Sequence, residues 1–149
     1  MKTHAMTDFR EITYGSDAYR GECDLRQEVL RRPLGLSLYD EDLSAEAHQM
    51  HFGLFHDGGL LACIIAAPVS PSEVKLRQMA VSPRMQGQGY GRRLMEMLEA
   101  ELASRGYVTS CLHARASAVE FYVRLGYHCT GSEFLEVGIP HLKMCRGLS

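Results

Sequence analysis

A mixed α/β fold is predicted for this chain of 149 residues, and three features predict it. Alternating strand-like runs are interleaved with segments of helical spacing, two of those runs flank a tight-turn tripeptide, and one strand feeds a glycine-rich junction that opens a long amphipathic helix. Hairpins are too numerous for a pure doubly wound sheet, so the expected architecture is a mixed sheet with helices on both faces. The length suits a single domain, residues 1–149, and allows a full core without disulfide or metal staples.

Residues 8–14 alternate loosely and read as a first strand. Helical spacing begins after Ser16 or Asp17, either of which suits an N-cap, and sets Leu25, Val29 and Leu30 on one face until Pro33 stops it. Residues 34–43 form a loop. Residues 50–55 and 60–69 flank Asp57-Gly58-Gly59, which accepts the positive φ of a hairpin turn. The strand over 74–81 sets Val74, Leu76 and Gln78 against Lys75, Arg77 and Met79, and its apolar end is expected to be buried on both faces. Leu94, Leu98 and Leu102 then mark a helix of about four turns that ends near Gly106. A strand over 107–113 follows. Ala118, Phe121, Tyr122 and Leu125 make a short helix closed by Gly126, and strands near 127–137 and 139–145 complete the chain.

The 16 basic and 18 acidic residues leave a formal charge of −2, which argues against a nucleic-acid partner. No apolar run approaches the roughly 20 residues of a membrane helix. The first six residues carry one lysine and no apolar segment behind it, so no secretory signal is expected, and Met6 is a candidate native start. Cys23, Cys63, Cys111, Cys129 and Cys145 are odd in number and widely spaced, and read as reduced thiols of a cytoplasmic protein. His48 and His51 are three apart with no third ligand near them in sequence, and no metal is expected.

The chemistry concentrates in Met79-Ala80-Val81-Ser82-Pro83-Arg84-Met85-Gln86-Gly87-Gln88-Gly89-Tyr90-Gly91-Arg92. A strand that enters a helix through closely spaced glycines is an anion cradle, because the first helical N–H groups lack partners and carry the positive end of the helix dipole. A P-loop needs Lys followed by Ser or Thr, and this loop has Gly91-Arg92. A dinucleotide fingerprint needs G-x-G-x-x-G, whereas Gly87, Gly89 and Gly91 give G-x-G-x-G. Gln86-x-x-Gly89-x-Gly91 resembles the pyrophosphate loop of the GNAT superfamily of N-acetyltransferases, with its Arg/Gln-x-x-Gly-x-Gly/Ala signature. Downstream, Ala118-Val119-Glu120-Phe121-Tyr122-Val123-Arg124-Leu125-Gly126-Tyr127 is similar to the superfamily's A-x-x-F-Y-x-x-x-G-F/Y. The likeness covers residues 50–146 well, and the residues before them only as a strand and a helix in the expected place.

The resemblance implies a mostly antiparallel central sheet in which a parallel strand pair splays to admit acetyl-CoA as co-substrate. Backbone at Met79 and Val81 would pair with the pantetheine arm and supply an oxyanion N–H. Main chain from Gln86, Gly87, Gln88, Gly89, Tyr90 and Gly91 would hold the pyrophosphate, with Arg92 or Arg84 adding charge. Tyr122 matches the family's proton donor to the departing thiolate. Many members carry Asn where this chain has Arg115, so that cofactor contact is missing. Cys111 is expected to be a buried inert thiol.

An amine acceptor has to lose a proton before it attacks. Glu136, His141, His113 and Glu73 are the candidate bases, the first two on the last hairpin, and the sequence does not choose among them. Asp40, Glu41 and Asp42 offer charge for a cationic amine, and Leu38 and Tyr39 offer pocket walls. The reading is an acetyl-CoA-dependent N-acetyltransferase acting on a primary amine, small or protein-borne, by direct attack in a ternary complex. The alternative is a non-catalytic acyl-CoA-binding sensor or interaction module. A homodimer through the final hairpin or a sheet edge is compatible with either.

Overall fold

A computed structural model describes residues 6–148; the expectations for residues 1–5 lie outside that range. The strands are β1 (Asp8–Ile12), β2 (Met50–His56), β3 (Gly59–Pro68), β4 (Glu73–Val81), β5 (Thr109–Arg115), β6 (His128–Cys129), β7 (Phe134–Glu136) and β8 (Ile139–Gly147). The α-helices are α1 (Asp17–Arg26), α2 (Tyr90–Ser104) and α3 (Val119–Arg124). Strand order is β1-β2-β3-β4-β5-β8-β6 with β7 on β8. The β4–β5 pair is parallel, whereas β1–β2, β2–β3, β5–β8, β6–β8 and β7–β8 are antiparallel. This is the mixed α/β architecture that the alternation and hairpin signals predict. The chain forms two compact units, one of residues 6–66 and 78–98, the other of 67–77 and 99–148.

In the first unit, Ser16 caps α1 by accepting from Tyr19 N at 3.1 Å, a contact worth about 1 kcal/mol. The helix does not run on to Pro33 as an α-helix. It widens into a π-helical turn over Gln27–Arg31 and tightens into a 3-10 turn over Arg32–Leu34. The hairpin turns at Asp57 (φ 50°) and Gly58 (φ 78°), the paired left-handed residues of a type I′ turn. The loop over 34–43 contains a 3-10 turn, Leu38–Asp40, and a second follows at Ser44–His48. Ile12, Tyr19, Cys23, Leu38 and Phe55 form one core cluster, and Leu25, Cys63 and Ala80 another. Leu38 is thus a core residue with no exposed surface, and does not wall a pocket as expected.

In the second unit, alternation assigns Val74, Leu76, Ser110, Leu112, Ala114 and Met144 to the buried side. The opposite face carries Lys75, Cys111, His113, Arg115, His141 and Lys143. Strand β5 starts two residues later than the apolar Tyr107-Val108 suggests, and runs two further, to Arg115. The 127–137 run is broken into β6 and β7. The end of β4 is not buried on both faces: of its last four residues only Ala80 is buried, and Gln78 has a φ of 58°.

One reading is overturned outright. Cys111 and Cys145 face each other in the β5–β8 register with Cα atoms 4.1 Å apart, and they form a disulfide. The spacing of 34 residues hides the pairing, because antiparallel register rather than sequence proximity joins them. Cys111 is therefore not a free thiol. Buried Cys23 and Cys63 remain free, their thiols pushed up in pKa by burial, which keeps them inert, and Cys129 is free and exposed.

Candidate active site

The junction between β4 and α2 lies in the first unit. After Ser82 the chain makes a 3-10 turn over Pro83–Met85, and Met85 N donates to Ser82 O at 2.8 Å. Gly87 (φ 75°) and Gly89 (φ 87°) then adopt left-handed backbone conformations that cost an L side chain about 1–2 kcal/mol, so glycine is what lets the loop close. Two side chains brace it from within. Gln86 Nε2 donates to Val81 O at 3.1 Å, and Gln88 Nε2 donates to Arg84 O at 3.0 Å. The signature glutamine thus ties the loop back to the strand end, and Val81 O, expected to meet the pantetheine arm, already accepts one hydrogen bond. Tyr90 is buried at the helix start, and Arg93 N donates to Gly89 O at 3.0 Å as the first helical bonds form. Arg92 is exposed and pairs with Glu96 at 3.3 Å, while Arg84 is exposed.

Just before this loop, Gln78 occupies its left-handed position with its side chain held. Arg31 Nη2 donates to Gln78 Oε1 at 3.1 Å, and the same guanidinium grips Glu41 with two prongs, Nε to Oε2 at 2.6 Å and Nη2 to Oε1 at 3.2 Å. The bonded arginine keeps the Glu41 carboxyl below its ordinary range against the opposing effect of burial. Asp42 accepts from Ser44 N, and Tyr39 hydroxyl is bonded to Asp24. Two members of the expected amine-attracting acid cluster are therefore engaged in local structure. An open cavity of about 450 Å3 sits beside Ser82, with Asp24, Leu25, Glu28 and Leu60 among its walls.

The second unit gathers three of the four candidate bases. His113 Nδ1 lies 2.9 Å from Glu136 Oε1, and His141 Nε2 lies 3.7 Å from Glu136 Oε2. Phe134 packs edge-on against His113 with centroids 4.9 Å apart, and stacks on His141 at 6.0 Å. The arrangement follows from topology: β8 lies beside both β5 and β7, with Arg115 and Phe134 each opposite His141. Burial raises the Glu136 carboxyl, but the hydrogen bond and charge of His113, with His141 and Lys75, outweigh it and hold the group below its usual range. Glu73, opposite Thr109, is four residues along the strands from the level of His113, roughly 13 Å, and does not join them. Tyr122, on α3, has ring contacts with Phe121 and Tyr127, and burial pushes its hydroxyl up to about 12.

A further charged group was missed from sequence altogether. In the first unit Arg26, with no exposed surface, donates to Glu22 Oε2 (3.0 Å), Glu46 Oε1 (2.8 Å) and Glu46 Oε2 (2.6 Å). His51 Nδ1 meets the Glu22 carboxylate at 2.9 Å, and its Nε2 meets Glu46 backbone O at 2.9 Å. Glu22, Glu46 and His51 place ligand-type atoms within 4.8 Å of one another, a grouping that the sequence reading of His48 and His51 did not find. The Arg26 guanidinium is one of the cations facing these carboxylates, and the His51 ring lies on the other side of Glu22. The only sequence trace is Glu22 and Arg26 at i, i+4, which looks like a common surface pair.

A family model described as an acetyltransferase (GNAT) domain matches residues 27–147. The chain belongs to the GNAT family. A putative acetyltransferase of Bacillus subtilis (strain 168) is 31% identical over 144 residues, covering 92% of this chain and 94% of that protein. A solved structure, that of a putative N-acetyltransferase from Lactobacillus plantarum, superposes with a TM-score of 0.87 at 22% identity, covering 97% of this chain and 100% of that one. An aminoglycoside 6'-N-acetyltransferase complexed with coenzyme A gives 0.80 at 18% identity, covering 95% and 97%. No helix among the described residues is long and apolar enough to cross a membrane.

Proposed function

We propose that this chain is an acetyl-CoA-dependent N-acetyltransferase that transfers the acetyl group to a primary amine by direct attack in a ternary complex, as one catalytic domain. The observation that carries the reading is the β4–α2 junction, where left-handed Gly87 and Gly89, braced by Gln86, lead into the first turn of a fifteen-residue helix. Such a junction offers backbone N–H groups and a positive dipole end to a pyrophosphate. The coenzyme A in the aminoglycoside acetyltransferase structure supports the same ligand here. The loop from Gln86 through Gly91 would hold the diphosphate, with Arg92 adding exposed charge, and Met79 and Val81 would meet the pantetheine.

Tyr122 would serve the leaving sulfur. With its hydroxyl near 12 it stays protonated at neutral pH. A thiol titrates near 8.5, so outright transfer from Tyr122 to the thiolate runs uphill by about 3.5 pK units. Tyr122 therefore acts as a hydrogen-bond donor to the sulfur and passes on a proton that the amine supplies. The base comes from the hairpin cluster that contains Glu136 and His141. The acceptor is a primary amine, small or protein-borne.

Calorimetric titration with acetyl-CoA, coenzyme A and NADH, followed by thiol release over an amine library, tests the reading. Micromolar acetyl-CoA binding without NADH binding, and release that depends on an added amine, is the expected result. Binding with no turnover on any amine would leave a cofactor sensor instead, and no binding of any coenzyme A species would refute both.

A further inference from the structure

The cluster that β5 and the last hairpin bring together distinguishes its own members, and we infer that His113 is the base that deprotonates the acceptor amine, with Glu136 as its positioning residue. The inference rests on the acetyltransferase reading. His141 is an unsuitable base: it is 5% exposed, its Nδ1 is 2.7 Å from Ile139 O and so carries the hydrogen, and its Nε2 points at Glu136. Glu136 is unsuitable for a different reason. Both its oxygens face imidazoles, and a carboxylate held below its usual range is a weak acceptor for a proton that an ammonium holds near pH 10.

His113 has the complementary arrangement. Its Nδ1 is taken by Glu136, an ionised acceptor, so the hydrogen sits on Nδ1 and the lone pair on Nε2. Nε2 has no hydrogen-bond partner among the described residues, and the side chain is 28% exposed. The Phe134 edge contact limits ring rotation from one side. The charged groups around this ring are Glu136 from β7, His141 and the directly opposite Lys143 from β8, Arg115 on its own strand, and Lys75 and Arg77 from β4. Glu136 is the one carboxylate among them, and it contacts the ring directly.

The proton count closes. His113 Nε2 takes one proton from the entering ammonium and becomes an imidazolium, stabilised by Glu136. The neutral amine nitrogen bonds the acetyl carbon, the carbon–sulfur bond breaks, and its electron pair goes to sulfur. A second proton leaves the nitrogen and reaches the sulfur by way of Tyr122, one hydrogen stays on the amide, and the imidazolium returns its proton to water.

His113→Gln keeps a hydrogen-bond donor for Glu136 and removes the base. With the best amine of the library, kcat at pH 7 is expected to fall about 100-fold or more, with acetyl-CoA affinity within about twofold of the parent and the residual rate rising with hydroxide. Glu136→Gln removes the charge that favours the imidazolium, so the acidic limb of the kcat profile is expected to move to lower pH. A mere scaffold role would leave that limb in place. The inference is overturned if His113→Gln retains kcat within about threefold, or if Glu136→Gln leaves the limb unmoved. If the unaltered protein neither binds acetyl-CoA nor turns over an amine, it is the acetyltransferase reading that fails.

Discussion

Replacing Glu46 by Gln tests the buried charge network more sharply than any other single change. Glu46 meets Arg26 through both carboxylate oxygens and accepts from Tyr19 hydroxyl at 2.7 Å, all with 3% exposure. His51 Nε2 faces a carbonyl, so it carries a hydrogen, and its Nδ1 faces the Glu22 carboxylate, so a proton lies there too. Two carboxylates are then balanced by one guanidinium and one imidazolium. Burial alone would lower the His51 pKa, but Glu22 and then Glu46 raise it above its ordinary value. A raised histidine stabilises the fold fully below its unfolded value near 6.5, and that contribution is lost as pH rises through the folded value. Glu46→Gln leaves an uncompensated positive charge when His51 is protonated, at a cost of about 3–5 kcal/mol, or roughly 6–20 °C in Tm. Deprotonation of His51 relieves that excess, so the penalty shrinks as pH rises. Urea unfolding of both proteins at pH 6 and pH 9 measures it. A loss below about 1 kcal/mol at pH 6, or an equal loss at both pH values, would refute the charge count. In the double variant with Arg26→Met the remaining Glu22 and His51 balance, so it loses less than the sum of the singles.

Tyr122→Phe removes the hydroxyl proposed to donate to the leaving sulfur, and kcat should fall about 10- to 100-fold with acetyl-CoA affinity retained, as read by thiol release and calorimetry. Gly87→Ala places a Cβ where nothing lies within 4 Å, so its effect is purely one of backbone strain. We expect a Tm loss corresponding to about 1–2 kcal/mol and at least fivefold weaker acetyl-CoA binding. Reducing the Cys111–Cys145 bond, which closes a span of 34 residues, should cost about 3–4 kcal/mol in urea unfolding under reducing and non-reducing conditions. Cys145→Ser should then make the two conditions agree.

What was legible in the sequence was what neighbours along the chain decide. The Asp57-Gly58 turn, the Ser16 cap, the glycine junction and the Gly106 and Gly126 helix ends each depend on a few adjacent residues with a particular backbone preference. The buried network was not legible because apolar periodicity assigns Glu22 and Arg26 to a solvent face. Only the arrival of Glu46 and His51 from 20 and 25 residues beyond Arg26 makes that face a buried one. Strand β5 was displaced because Tyr107 and Val108 are apolar enough to read as strand, yet their backbone precedes the ladder. Similarly, Glu136 and His141 were identifiable as polar residues on a hairpin. That they meet His113 follows from β8 lying beside β5, a pairing no local pattern encodes.

The segment between the end of α1 and β2 is held by side chains more than by ladders. Gln27 bonds Leu36 O and Leu38 N, Asp24 holds Tyr39, Arg31 grips Glu41, and Arg26 grips Glu46. All of these anchors lie within eight residues on one stretch of helix. Loosening any one weakens the hold on the next, so residues 36–46 and the C-terminal half of α1 should open as a single cooperative unit below the global unfolding free energy. Their backbone amides would then exchange with solvent at a common rate, and that rate would quicken as His51 loses its proton.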